Sequence, residues 1–186
     1  MATVAADDSS IVDFDADYPL TPISWWRIAP ATDLPAVTGT ISIDGYTQPG
    51  SQANTVAGNG PLDAVLRIEI DNPATTLGYG LKLSAAGAEV RGLVIDEGGY
   101  AVIVDTSGAA TIAGNWLGSD VTGDWAGSTT GGGIELVTAA DGNTIGGPTP
   151  ADRNVIAHSA GRGIDLQSDT NTIVNNYLGF GSLGTA

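Results

Sequence analysis

A hydrophobic triplet recurs four times along this chain, and a unit that short has few ways to bury itself. The triplets are Leu83, Val90, Ile95; Val104, Ile112, Leu117; Leu136, Ile145, Ile156; and Leu166, Ile173, Leu178. Equivalent first members lie 21, 32 and 30 residues apart. The second-to-third interval is five residues in three copies and eleven in the third, where Gly-Pro-Thr-Pro-Ala-Asp is inserted. A constant frame interrupted by loop insertions is the mark of a coil repeat.

Each strand-like piece is three to five residues long and is bounded by Gly, Asn, Asp or Ser. Pieces that short cannot pair with their sequence neighbours as long hairpins, so the expected solution is to stack each coil on the next. Equivalent strands then lie parallel about 4.8 Å apart, with β-branched side chains in one continuous core. Parallel crossovers favour right-handed winding. The expected fold class is therefore all-β, a right-handed parallel β-helix (solenoid) of about six coils.

Asparagines occupy the same frame. Asn115, Asn154 and Asn176 stand two residues before Leu117, Ile156 and Leu178, and Asn143 and Asn171 stand two before Ile145 and Ile173. An asparagine amide at a corner can donate to one coil and accept from the other, and asparagine tolerates a left-handed corner. Both columns are read as structural ladders, like those that stack in cross-β assemblies.

At 186 residues the chain is one domain by size, with no helical periodicity of note and 27 glycines. It has no cysteine, hence no disulfide framework. No apolar run approaches the roughly 18 residues that cross a membrane as a helix, so membrane insertion is not expected. The formal charge of −15, from 21 acidic and 6 basic residues, argues against nucleic acid as a partner, because phosphate binding needs a basic surface. Scattered carboxylates on a repetitive β surface serve solubility and discourage edge association.

Residues 1–22 are acidic, irregular and punctuated by proline, and are expected to cap the first coil. Residues 23–186 are expected to form the solenoid, beginning with alternating strands over 23–28, 40–43 and 64–70. The opening Met-Ala-Thr-Val-Ala-Ala-Asp-Asp carries no basic and apolar signal pattern. Asn176-Tyr177-Leu178-Gly179 repeats Asn115-Trp116-Leu117-Gly118 without a cap after it. A longer solenoid, or one that stacks on a partner, is the expectation.

Ile41-Ser42-Ile43-Asp44-Gly45-Tyr46-Thr47-Gln48-Pro49-Gly50 followed by Asn54-Thr55, then Arg91-Gly92-Leu93-Val94-Ile95, Gly114-Asn115-Trp116-Leu117-Gly118-Ser119-Asp120-Val121-Thr122-Gly123, Asn143-Thr144-Ile145-Gly146-Gly147 and Arg153-Asn154-Val155-Ile156 form a set. Together they resemble the bacterial right-handed parallel β-helix repeat proteins of the pectate-lyase-like superfamily. The resemblance covers roughly residues 25–186 and implies a secreted or cell-surface location. It carries fold more than chemistry, because one scaffold hosts many functions.

Enzymes on this scaffold set carboxylates and a basic residue on one exposed strand face. Here the outward column is Lys82, Ile103, Glu135 and Asp165, with His158 and Arg162 in the loop before Asp165. Glu135 and Asp165 on adjacent coils would share a proton or a cation. The Asn-Thr-Asp, Asp-Asp and Gly-His-Gly clusters of the pectin-hydrolase branch are missing, as is the Arg-rich strand of a Ca²⁺-dependent lyase. Solvated strand positions are the competing reading.

Asp13, Asp15 and Asp17 alternate like calcium-loop ligands, but Tyr18 stands where Gly is needed and Ser24 where Glu is. Asp120 and Asp124 are the other acidic pair that could take Ca²⁺; no other cofactor is expected. Trp116, Trp125 and Tyr177 are candidates for stacking on sugar rings, against packing under loops. Gly131-Gly132-Gly133 reads as a corner turn, since no lysine or helix follows it. The favoured function is a non-catalytic structural or adhesive module that stacks end to end on itself. The alternative is a lyase, hydrolase or epimerase on acidic glycans, or a module that binds a surface polysaccharide.

Overall fold

Alternation of β-branched and small residues in runs of two to five, each closed by a residue suited to a tight corner, produces short strands and no α-helix among the described residues. The computed structural model describes residues 25–72, 78–96, 98–105, 108–121, 123 and 132–179. The expected cap over 1–22 lies outside them. The described residues open with β1 (Trp26–Ile28), β2 (Ser42–Asp44) and β3 (Ile68–Asp71), and then make four passes. These are β4 (Tyr79–Leu83), β5 (Glu89–Arg91), β6 (Leu93–Asp96); β7 (Tyr100–Val104), β8 (Thr111–Ala113), β9 (Trp116–Leu117); β10 (Gly132–Leu136), β11 (Thr144–Gly146), β12 (Val155–Ile156); and β13 (Arg162–Leu166), β14 (Thr172–Val174), β15 (Tyr177–Leu178).

The fifteen strands form three parallel sheets. Sheet A runs β1-β3-β6-β9-β12-β15, sheet B β13-β10-β7-β4 and sheet C β14-β11-β8-β5-β2. From β4 onward the chain visits B, C and A in that order, four times over. The hydrophobic triplets set the register. Leu83, Val104, Leu136 and Leu166 are successive Cα partners in sheet B. Val90, Ile112, Ile145 and Ile173 follow in sheet C, and Ile95, Leu117, Ile156 and Leu178 in sheet A. A slip of one residue would turn each column to the other face. One apolar cluster joins the inward residues of all three sheets.

The corner from sheet C to sheet A is made by a single left-handed residue, Gly92 (φ 69°), Gly114 (φ 67°) or Asn175 (φ 58°). Gly114 is also held by contact, because a Cβ there would lie 2.6 Å from the Ala151 carbonyl oxygen. The third pass replaces this corner with the insertion, which closes as a short 3₁₀ turn over Pro150–Asp152 with a Thr149/Asp152 capping box.

Two expectations are corrected. The strand expected over 64–70 begins only at Ile68, because Val65 pairs antiparallel with Gln52 instead of joining sheet A. Gly132 and Gly133 do not form a corner; they open strand β10. A Cβ on Gly132 would overlap the Arg162 carbonyl and one on Gly133 would lie 2.6 Å from the Gly163 carbonyl oxygen, so the third and fourth passes meet there at backbone distance.

Candidate functional site

The outer face of sheet A is not a surface. Residues 45–66, between β2 and β3, cross it and bring Leu62, Ala64 and Leu66 onto Val94, Trp116, Val155 and Tyr177. Polar ends pin the crossing: Tyr46 donates its hydroxyl to Gly114 O at 2.6 Å and Asn54 donates to Pro150 O at 3.0 Å. Arg153 donates to Gly58 O at 2.6 Å, and Tyr177 to Gly60 O at 2.8 Å. Burial pushes the Tyr46 phenol well above its ordinary value. Trp116 and Tyr177 are therefore only 2% and 9% exposed. Expected to stack on sugars, they instead fill the space beneath the crossing segment, and neither ring face is open. Trp125 lies outside the described residues.

The asparagine columns face inward at two corners. Asn115 accepts from Leu93 N at 3.1 Å and donates to Asn154 Oδ1 at 3.1 Å. Asn154 donates to Ile112 O and to Asn176 Oδ1, both at 2.8 Å. In the second column Asn143 accepts from Ala110 N at 2.9 Å and donates to Asn171 Oδ1 at 3.1 Å. Each amide thus joins the pass before it to the pass after it and satisfies backbone groups that a corner leaves without partners.

On the outer face of sheet B, Lys82, Ile103, Glu135 and Asp165 are in register. Asp165 accepts from Arg162 at 2.9 Å, from Tyr100 at 3.1 Å and from Gln167 at 3.3 Å, while Gln167 also donates to Glu135 at 3.0 Å. An amide lies between the two carboxylates, and a guanidinium beside Asp165 offsets one of the two charges. Partial burial and the bond to Asp165 raise the Tyr100 phenol. Tyr100, not singled out from the sequence, stands beside Tyr79, its in-register partner. Lys82 pairs with Asp105 at 2.8 Å. His158 is brought elsewhere: it is exposed, sits in a left-handed conformation (φ 52°) and lines the concavity described below.

No group of three or more His, Cys, Asp or Glu that could hold a metal occurs among the described residues. Asp120 is buried; Asp124, like Asp13, Asp15 and Asp17, lies outside the described residues. No described helix is long and apolar enough to cross a membrane.

Among the described residues, large apolar side chains are most exposed on the fourth pass. Leu166, Ile173 and Leu178, the last members of the three columns, are 49%, 41% and 46% exposed, whereas every earlier member is buried to within 1%. They line a concavity of about 530 Å³ with Ile156, Ile164 and His158. β13, β14 and β15 are also the outermost strands of their sheets, so one side of each lacks a strand partner among the described residues. At the opposite end Ile28 and Ile41 are similarly exposed. No family model, no curated protein and no solved structure matches this chain.

Proposed function

We propose that the chain is a right-handed parallel β-helix acting as a non-catalytic structural module of a secreted or cell-surface protein, whose fourth pass docks end to end on the β1, β2 and β4 end of a second copy. The observation that carries this reading is the abrupt exposure of three columns that are buried throughout the preceding passes. The cyclic order of visits to the sheets supports the winding, and the single sense of all strands makes head-to-tail continuation geometrically simple. A head-to-tail contact uses two different surfaces and need not close, so it builds rods.

Sedimentation velocity across a concentration series tests the reading. Wild-type protein is expected to form concentration-dependent, elongated oligomers, and Leu178→Asp, which places a charge on the open face, is expected to stay monomeric. A wild-type chain that remains a monodisperse monomer at high concentration overturns end-to-end docking. A second reading, glycan binding, is supported by the in-register Tyr79 and Tyr100 beside the Glu135/Asp165 column. Retention on a polysaccharide column that is lost in Tyr100→Ala would favour it.

A further inference from the structure

Eight of the nine asparagines hold a corner or a loop through a side-chain hydrogen bond. Asn59 is the exception: it is exposed, and its side chain bonds to nothing among the described residues. It is also the one asparagine followed by glycine. The Gly60 N–H donates to no acceptor among the described residues. The main chain around the pair is nevertheless fastened. Gly58 O accepts from Arg153 at 2.6 Å, and the Tyr177 hydroxyl lies 2.8 Å from Gly60 O and 3.3 Å from Gly58 O. The carbonyls on either side of Asn59 thus converge on one hydroxyl, and they help to hold residues 45–66 across the outer face of sheet A.

We propose that Asn59-Gly60 is a self-modifying site whose isoaspartyl product unfastens the crossing segment from Arg153 and Tyr177. The Gly60 backbone nitrogen, losing its proton to water or hydroxide, attacks Asn59 Cγ. The new N–Cγ bond closes a succinimide ring while the Cγ–Nδ2 bond breaks and ammonia leaves. Water then opens the ring. Addition at Cγ breaks the N–Cγ bond and gives aspartate; addition at the Asn59 backbone carbonyl carbon breaks its bond to the Gly60 nitrogen and gives isoaspartate. Amide and water become carboxylate and ammonium, with no oxidant or cofactor. Glycine at the attacking position lets the nitrogen swing onto Cγ, because no Cβ restricts its dihedrals, and the exposure of Asn59 admits the water that opens the ring. In isoaspartate the main chain runs through the former side chain and is longer by one carbon, about 1.5 Å. Hydrogen bonds are lost over shifts of that size, so Gly58 O and Gly60 O no longer reach Arg153 and Tyr177 together.

Ageing the folded protein in mildly alkaline buffer, followed by peptide mass spectrometry that separates isoaspartate from aspartate, tests the chemistry. Asn59 is expected to convert while the eight bonded asparagines do not. Gly60→Ala is expected to slow conversion about tenfold. That variant is compatible with the fold, because Gly60 is not in a left-handed conformation and an added Cβ would meet only Val56, at 3.7 Å. Nitration of Tyr177 by tetranitromethane reads the unfastening, with Tyr79 as internal reference. It is expected to rise several-fold in the isoaspartyl fraction and to stay at its starting level in aged Gly60→Ala. Conversion of Asn59 only in urea-unfolded protein, equal rates in wild type and Gly60→Ala, or unchanged nitration of Tyr177 in the isoaspartyl fraction would each overturn the proposal.

Discussion

The third and fourth passes are built from nearly the same residues in the same register, yet one is interior and the other is surface. Leu136, Ile145 and Ile156 are buried, whereas Leu166, Ile173 and Leu178, their partners one pass on, are half-exposed. Asn154 is fully buried and bonded on both sides; Asn176, its partner, accepts from Asn154 and donates to Ile145 O, but is only half-buried. The difference teaches that burial in stacked parallel strands is conferred by the neighbouring pass. The same leucine is core or patch according to what lies on it.

The largest expected break in that comparison comes from the apolar columns. Leu136→Ala should cost about 2–5 kcal/mol in a denaturant titration, because it leaves a cavity that neighbours on both sides cannot fill. Leu166→Ala should cost about 1 kcal/mol, since water already reaches half of the side chain. Equal losses would mean that the fourth pass is covered in solution.

The opposite end of the stack offers the next contrast, because it is closed partly by titratable groups. Glu69 is held at about 7 against an ordinary value of 4.5. The folded chain therefore keeps a proton that the unfolded chain releases. Its contribution is full below about 4.5, is lost progressively as pH rises toward 7, and levels off above that, by roughly 3 kcal/mol in all. Glu69→Gln should flatten this part of the stability profile; an unchanged slope would assign it to other carboxylates.

Asparagine truncation should repeat the pattern on a smaller scale. Asn154→Ala strips partners from Ile112 O and from Asn115 and should cost about 2 kcal/mol; Asn176→Ala, open to water on one side, should cost about half as much. Similar values at the two sites would show that water cannot replace the missing pass. The smallest expected effect is spectroscopic. Asp165→Asn should lower the titration of the Tyr100 phenol, followed by ultraviolet difference absorbance, with little change in stability.

Much of the fold was legible because a repeat displays its own register. The spacing of Leu83, Val104, Leu136 and Leu166 identifies the residues that become cross-strand partners, and the asparagines two places before the third member mark a corner. The outward column from Lys82 to Asp165 was legible for the same reason, by alternation alone. What alternation cannot say is whether an outward face is wet. Alternation turns Trp116 and Tyr177 outward from the apolar column, but residues 45–66 lie more than 45 positions earlier in the chain and cover them. The Gly132-Gly133 pair misled in another way: glycine signals a turn and also a close approach of two backbones, and here the second meaning holds.

By itself the sequence determined the parallel register, the inward columns and the asparagine corners, because these follow from local periodicity and from the φ angles that glycine and asparagine permit. Only the tertiary structure decided which faces water reaches. It closed the outer face of sheet A with a segment distant in sequence, gathered Glu69 and Asp71 of β3 with Asp96 and Asp120 of later passes, and left Leu166, Ile173 and Leu178 half-exposed. Exposure and proton affinity are set by neighbours in space, and a repeat specifies those only along its own axis.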